Sequence, residues 1–331
     1  MYRIIKLSKN EFNTIIANTA MKNGMNTAIV EKDLWVCITL DFLFHQSKWK
    51  NNFAFKGGTC LSKAYKIINR FSEDIDLILD WRILGYKIEE PWEERSNTKQ
   101  LKFIEESRER LFAFLKDEFL PDFKSGMSQF LGINCDAYID EEDLGTVVFA
   151  YLRSFSDASI LNTIRLEIGV LASWIPLKKA NVKSFVAEEY PNVISSPDVE
   201  LLATTPERTF WEKATILHQE AFRPENSLIP NRYSRHYYDI YCMCKKGIKD
   251  TALKDPKLLE DVAEFKNKFY PRKWARYELA RFGTIKLMPA NHSVERLKKD
   301  YESMKAMIYG EHPSFDEILL TIEELEKEIN K

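Results

Sequence analysis

Residues 53–79 read FAFKGGTCLSKAYKIINRFSEDIDLIL, and this stretch decides the fold. Its first residues predict a short strand that ends at a glycine pair, Gly57-Gly58. An apolar stripe at helical spacing follows the glycines and predicts a helix. The last six residues, 74–79, have the alternation of a strand. The stretch therefore predicts a strand–helix–strand unit with a glycine turn at its first junction.

Two carboxylates lie inside the second predicted strand. Asp74 and Asp76 are two residues apart, so they project from one face, while Ile75 and Leu77 pack on the opposite face. Neighbouring carboxylates repel each other, and burial opposes their ionisation. A divalent cation relieves both problems, and carboxylate oxygens suit Mg²⁺, which keeps water and phosphate oxygens as its other ligands. The alternative is a D-x-D pair that merely caps the solvated end of a strand.

The glycine pair offers a second element of a site. Gly57 and Gly58 allow backbone N–H groups to approach a phosphate closely at a helix N-terminus, and Thr59 adds a hydroxyl donor. A purely structural turn would use the same glycines. A third acid, Glu167, lies on the polar face of another predicted strand, where pairing with Arg165 is the alternative. Three acids on neighbouring strands beside a glycine turn would bind a metal–triphosphate complex, which is typical of nucleotidyl transfer.

The rest of the chain predicts helices, then a mixed strand–helix core, then a helical tail. Amphipathic helices are predicted at 9–23 and 27–45, a long charged helix with an apolar face at 98–119, and strands within 146–155 and 162–171. Beyond about residue 200 the pattern is mostly helical, and Thr205 is the expected N-cap of a helix that starts at Pro206. The order predicts an α/β (α+β) fold with two domains, 1–200 and 201–331.

Composition narrows the class of protein. The chain has 331 residues, 45% of them hydrophobic, and a net charge of −2, so no basic field covers the whole molecule. Its five cysteines are scattered, which indicates reduced thiols in a cytoplasmic protein. We expect neither a signal peptide nor a membrane span.

The stretch FKGGTCLSKAYKIINRFSEDIDLIL resembles the signature of the AbiEii/AbiGii toxin family. These proteins are nucleotidyltransferases of the polymerase-beta-like superfamily, related to the MenT toxins, in bacterial type IV toxin–antitoxin and phage-abortive systems. The segments VEKDLWVCITL, RTFWEKATILH and SRHYYDIY are also similar to family segments. The superfamily and family patterns are matched by Gly57, Gly58, Asp74, Asp76, Glu167, Arg70 and Ser72. The resemblance implies a nucleotidyltransferase core in 1–200 and a helical C-terminal domain in 201–331.

The resemblance also implies that the second half supplies a lysine and an aspartate to the site. Lys213 in FWEKA would neutralise the triphosphate, and Asp239 in RHYYDIY would complete the site. Without the resemblance, Lys213 reads as a solvated helix lysine and Asp239 as a helix-surface or N-cap acid. Arg235 and His236 would contact phosphate or pair with acids. Lys32 in EKDLW is similar to a family position near the site, and the resemblance assigns it no role.

The resulting mechanism is in-line attack by an acceptor hydroxyl on the α-phosphate of a nucleoside triphosphate (NTP), with pyrophosphate as the leaving group. Mg²⁺ is expected on Asp74 and Asp76. Glu167 or Asp239 is expected to help deprotonate the acceptor. The phosphates are expected on Gly57, Gly58, Thr59, Ser72 and Lys213.

Residues 266–286 indicate an RNA acceptor. This segment carries seven Lys/Arg and one Glu, interleaved with aromatic residues, which suits single-stranded RNA ends. An amphipathic helix with core aromatics is the alternative. Relatives in the mycobacterial branch act on tRNA acceptor ends, so the resemblance implies tRNA, with an antitoxin as a further partner.

Three other functions fit parts of the pattern. The same carboxylates would serve an enzyme that nucleotidylates a small molecule or a protein. A non-catalytic pseudoenzyme bound by an antitoxin is a second alternative. A metal nuclease also needs clustered acids and a lysine, but it has no use for the Gly-Gly-Thr turn.

Overall fold

The computed structural model describes residues 3–157, 160–170, 176–194 and 198–331. The chain divides into two compact units. The first, Met1–Tyr65 with Ser72–Ala203, is called here the sheet unit. The second, Lys66–Phe71 with Thr204–Lys331, is called the helical unit. The helical unit thus takes in a short segment from the middle of the strand–helix–strand stretch.

A seven-stranded mixed sheet forms the centre of the sheet unit, in the order β3-β4-β5-β2-β1-β7-β6. The strands are β1 (Phe53–Lys56), β2 (Asp74–Leu79), β3 (Asp136–Ile139), β4 (Thr146–Ala150), β5 (Ile164–Gly169), β6 (Leu177–Val182) and β7 (Val199–Thr204).

The pairing of the central strands positions the candidate site. β1 is antiparallel to β2, with Lys56 opposite Asp76. β2 is parallel to β5, while β4 is antiparallel to β5 and β7 is parallel to β1. The mixed sheet confirms the predicted α/β class. The sequence did not predict β3, β6 or β7.

The described part of the sheet unit contains the α-helices α1 (Lys9–Asn23), α2 (Thr27–Asp41), α3 (Gly57–Lys63), α4 (Asn97–Phe114), α5 (Leu120–Leu131) and α6 (Phe185–Glu189). Ser8 and Glu11 form a capping box at the start of α1, and Asn26 caps α2 through the N–H of Ala28. α2 departs from the predicted amphipathic helix, because every residue from Ala28 to Asp41 is buried, charged ones included.

The helical unit contains α7 (Pro206–Ala221), α8 (Arg235–Lys245), α9 (Ile248–Ala252), α10 (Pro256–Phe269), α11 (Asn291–Met304) and α12 (Phe315–Ile329). Thr205 caps α7 by accepting the N–H of Arg208, with Pro206 in the first turn, as the sequence predicted. Trp211, Tyr237 and Tyr301 are fully buried and fill the space between the helices. Among the described residues, no helix is both long enough and apolar enough to cross a bilayer.

Candidate functional site

A face of β2 carries the acidic pair. Asp74 and Asp76 are half-buried, whereas Ile75 and Leu77 between and beyond them are fully buried. The alternation follows from the period-2 geometry of the strand, so both carboxylates project from one face. Ser72 is half-buried in the same way, two residues before Asp74.

The neighbouring strand β5 brings the third predicted acid beside this pair. In the parallel register, Asp76 lies opposite Glu167 and Asp74 lies opposite Arg165. Nη1 of Arg165 donates to Oδ2 of Asp140 at 2.5 Å, and its Nε lies 4.0 Å from Oε1 of Glu167. The face of β2 and β5 that carries Asp74, Asp76 and Glu167, called here the acidic face, therefore also includes the guanidinium of Arg165.

The glycine turn packs directly against the second aspartate. Gly57 has φ +78°, and a Cβ added to it would lie 2.6 Å from Cγ of Asp76 and closer still to Oδ2. Real Cβ atoms do not make such contacts, so only glycine allows the backbone to approach this carboxylate so closely. The side chain of Lys56, the residue before α3, makes no capping hydrogen bond to the first turn of this helix.

Thr59 ties the glycine turn to the acidic strand. Its hydroxyl donates to the backbone carbonyl of Asp74, and its side chain is buried. Gly58 beside it is also buried. The hydroxyl thus fixes the start of α3 against the start of β2, and its predicted contact with phosphate stays a prediction.

The acidic face fits a divalent cation by its donor set and by the close approach of Gly57. Two carboxylates share one face of β2 and suit Mg²⁺, which takes one or two carboxylates together with substrate phosphates. The three-acid metal site predicted from the sequence, with Glu167 beside Asp74 and Asp76, is not formed, because within the ranges that the structure describes no three His, Cys, Asp or Glu side chains are grouped to hold an ion. A metal here would therefore use Asp74 and Asp76 and complete its shell with water and substrate oxygens.

Replacing Gly57 by alanine tests the close approach. The substitution should lower nucleotidyl transfer at least about tenfold and destabilise the protein by about 1–3 kcal/mol, because φ is positive and the methyl group must displace the Asp76 carboxylate. Gly24→Ala is the matched control, since Gly24 has φ +62° but nothing within 4 Å of an added Cβ. Activity and thermal unfolding of both variants should be measured. Equal activity in the two variants would show that the approach to Asp76 is unimportant.

A second polar group lies inside the helical unit. Arg70 donates from Nε and Nη2 to the two carboxylate oxygens of Asp239, at 2.7 and 2.8 Å. Nζ of Lys213 lies 2.6 Å from Oδ2 of the same carboxylate. All three side chains are buried, and the forked geometry is the bidentate arrangement that arginine makes with carboxylates.

Burial and the neighbouring charges shift the pKa values of Asp239, Lys213 and His236. Burial raises the pKa of Asp239, but the positive charges of Arg70 and Lys213 outweigh burial and hold it well below its usual range. Burial lowers the pKa of Lys213, and Asp239 offsets part of that effect. Burial, together with Lys213 and Arg235, holds the pKa of His236 well below its ordinary value, so this imidazole is neutral at physiological pH.

Lys213 and Asp239 are buried, whereas their sequence context without the family resemblance suggested exposed side chains. Lys213 is not a solvated lysine, and Asp239 is neither a surface acid nor an N-cap. The bond between Arg70 and Asp239, which lie 169 residues apart, was not predicted from the sequence. The signal in the sequence was that Arg70, together with Ser72 and Asp74, matches the family form Arg-x-Ser-x-Asp, and this form does not identify a partner.

The basic segment 266–286 presents few of its aromatic rings to solvent. Phe269 and Tyr277 are buried, and Phe282 packs edge-on against Trp211 with 5.8 Å between ring centroids. Tyr270 is 46% exposed. Core packing thus accounts for most of the interleaved aromatics, and the basic residues Arg272, Lys273, Arg276, Arg281 and Lys286 are exposed.

Comparisons with known proteins bear on this arrangement. The sequence model of the family described as nucleotidyl transferase AbiEii toxin, type IV TA system, matches residues 41–321. No curated protein matches the chain significantly. Among solved structures, JHP933 from Helicobacter pylori is similar with a TM-score of 0.43 and 14% identity over 91% of each chain. The nucleotidyltransferase toxin MenT4 from Mycobacterium tuberculosis H37Rv has a TM-score of 0.45 and 12% identity, covering 96% of this chain and 99% of its own.

The protein is a nucleotidyltransferase by class. It has a mixed sheet, and one strand of this sheet carries an aspartate pair beside a glycine turn. The family match spans most of the chain, and the chain belongs to the AbiEii family of nucleotidyl transferase toxins of type IV toxin–antitoxin systems. The resemblance stated from the sequence is thereby confirmed.

Proposed function

We propose that this protein is a Mg²⁺-dependent toxin that transfers a nucleoside monophosphate from an NTP to an acceptor hydroxyl on tRNA in the cytoplasm. The proposal places it in a bacterial toxin–antitoxin or phage-abortive system, with a cognate antitoxin as partner. Its main support is the close approach of Gly57 to Asp76, because a backbone turn beside an acidic pair suits a metal-bound triphosphate.

The proposed roles in the sheet unit follow from chemistry and position. Mg²⁺, when bound, would be held by Asp74 and Asp76 and would offset the charge of the triphosphate. The N–H groups of Gly57 and Gly58 orient the phosphates, and Thr59 and Ser72 lie beside them. Glu167 is the better of the two candidate bases, because its side chain is 42% exposed, whereas Asp239 is fully buried between Arg70 and Lys213.

Asp239 is a poor proton acceptor, since two cations hold its pKa below the usual range. We therefore assign it the role of a positioning residue that orients Lys213, while Lys213 is proposed to neutralise phosphate charge as a point charge. The burial of both side chains supports a fixed orientation, which is what charge stabilisation in a transition state requires.

RNA is proposed as the acceptor because exposed cations of segment 266–286 can contact phosphates. Tyr270 is the ring in this segment most available for stacking on an unpaired base. The support for tRNA in particular comes from the family resemblance.

The deciding experiment incubates the protein with Mg²⁺, each labelled NTP in turn and total bacterial RNA. Label should enter the tRNA fraction. The double variant Lys273→Glu/Arg281→Glu should label RNA more weakly. The slope of log binding constant against log salt concentration should fall in magnitude by roughly one to two, because one or two phosphate contacts are lost. Lys327→Glu on α12 is the control, because Lys327 lies outside the segment and pairs with Glu323 on its own helix.

Two results would contradict the proposed acceptor. Label found in protein or in a small molecule, with none in RNA, would favour the other acceptors considered above. No transfer with any NTP, from folded protein, would favour a non-catalytic partner of an antitoxin.

A further inference from the structure

Helix α2 carries three consecutive charged residues that are all buried. Glu31, Lys32 and Asp33 expose 0%, 0% and 2% of their surface. Consecutive residues of an α-helix point about 100° apart, so the three side chains reach three different parts of the sheet unit. The two oxygens of Glu31 accept the N–H groups of Ser154 and Phe155, at 2.7 and 2.8 Å.

Asp33, the third of these residues, forms an ion pair with helix α3. Oδ1 of Asp33 lies 2.6 Å from Nζ of Lys63 on α3, and Oδ2 accepts the N–H of Phe185 on α6 at 2.8 Å. Each charge of the set is thus matched by a defined partner, as buried charges must be.

Lys32 closes a ring of hydrogen bonds with Glu73 and Leu161. Its Nζ donates to Oε2 of Glu73 and to the carbonyl of Leu161, each at 2.9 Å. The N–H of Leu161 donates to the same Oε2 at 2.8 Å. Both backbone groups of Leu161 are therefore held by one buried ion pair, in which Lys32 is 0% exposed and the Glu73 side chain 3%.

This ring lies at the end of the sheet where the acidic face begins. Glu73 directly precedes Asp74 at the start of β2, and Leu161 lies three residues before Ile164 at the start of β5. β2 and β5 run parallel, so their starts are neighbours, with Asp74 opposite Arg165. The ion pair therefore connects α2 to the approach segments of both strands that carry the predicted acids.

Stability alone does not account for such a pair. A buried ion pair gains little over well-packed apolar side chains of the same volume, whereas its hydrogen bonds require defined distances and angles. Its hydrogen bonds act on the residue beside Asp74 and on the segment before β5.

We propose that Lys32 and Glu73 are positioning residues, which hold Asp74 and the start of β5 in the arrangement that nucleotidyl transfer requires. This inference rests on the proposed function for its catalytic consequence. Its geometric part, the anchoring of the segment before β5, does not depend on activity.

The test replaces both partners at once, by Lys32→Met/Glu73→Met, so that volume is kept and no unpaired charge remains. The double variant should unfold within a few degrees of wild type. Its kcat, or its affinity for Mg²⁺, should fall about 10–100-fold, as for partners that orient metal-binding carboxylates. The KM for NTP should change less than about threefold, because phosphate contacts are untouched. A double variant with wild-type kcat and Mg²⁺ dependence would overturn the proposal.

Asp33→Asn/Lys63→Met is the matched control, since it removes the other buried ion pair of the same helix. The asparagine introduced in this control still accepts the N–H of Phe185 through its side-chain oxygen, so that hydrogen bond is kept. We expect this control to keep wild-type kcat. An equal loss in both double variants would assign the effect to a loosened α2 and would overturn a specific role for Lys32 and Glu73.

Hydrogen exchange gives a readout that needs no catalysis. In Lys32→Met/Glu73→Met the amide of Leu161 should exchange faster, while the amides of Ser154 and Phe155, held by Glu31, should keep their protection. If wild type transfers no nucleotide, the proposed function fails, yet faster exchange at Leu161 would still support the anchoring. Unchanged exchange at Leu161 would overturn it.

Discussion

Asp76→Asn should strongly reduce nucleotidyl transfer while leaving the fold intact. The expected loss in kcat is on the order of 10³-fold, which corresponds to about 4 kcal/mol of transition-state stabilisation. Asparagine has almost the shape of aspartate and keeps the close approach of Gly57, but it supplies no negative charge to a metal. Thermal unfolding should be unchanged or slightly improved, because the substitution removes repulsion from Asp74 on the same face.

Asp136→Asn is the matched control for this prediction. Asp136 is also a strand aspartate, but it lies on the edge strand β3, is exposed and pairs with Lys124 at 3.1 Å. Both variants should be assayed with labelled NTP over a range of Mg²⁺ concentrations. If Asp76→Asn transferred label at a rate within a few-fold of Asp136→Asn, the acidic face of β2 would not be the metal site.

The acidic strand could be predicted from sequence because its signal is local. A period-2 alternation places Asp74 and Asp76 on one face regardless of what packs around the strand. The glycine turn has the same property, since Gly57 needs a positive φ wherever the chain turns so sharply. β2 was therefore predicted with its observed bounds.

The missed strands lack that local signal. β7 (VELLAT) points Leu202 outward on the same side as Glu200, which breaks the alternation, and the edge strand β6 (LKKANV) exposes two lysines. An edge strand gains from such charges because they discourage pairing with other chains. The charged sequence of β6 therefore resembles that of a loop.

Buried charges are the second kind of feature that sequence cannot assign. Lys32, Lys213 and Asp239 have ordinary surface residue types, and each is buried only because a partner far along the chain compensates its charge. The resemblance to the family singled out Lys213 and Asp239, but it gave no reason for their burial. That reason is the fork of Arg70 on Asp239, a contact that the fold creates.

The second large effect is expected for Asp239→Asn. The substitution leaves Arg70 and Lys213 buried side by side without a counter-charge, which should destabilise the helical unit by about 3–5 kcal/mol. Urea unfolding should show this loss. Asp261→Asn is the control, because Asp261 is half-exposed and pairs with Lys257 on the surface, where the loss should stay below about 1 kcal/mol.

The stability of the protein at low pH should also depend on the charge of Asp239. Because the pKa of Asp239 is lower in the folded protein than in the unfolded chain, its stabilisation is complete above about pH 5 and is lost progressively as the pH falls below about 4. The free energy of unfolding of wild type should therefore fall more steeply between pH 5 and pH 2 than that of Asp239→Asn. Removing one cation as well, in Asp239→Asn/Lys213→Met, should recover part of the lost stability, since one unpaired buried charge remains instead of two. If the double variant were less stable than Asp239→Asn, or if the two acid profiles ran parallel, the carboxylate would not be what balances Arg70 and Lys213.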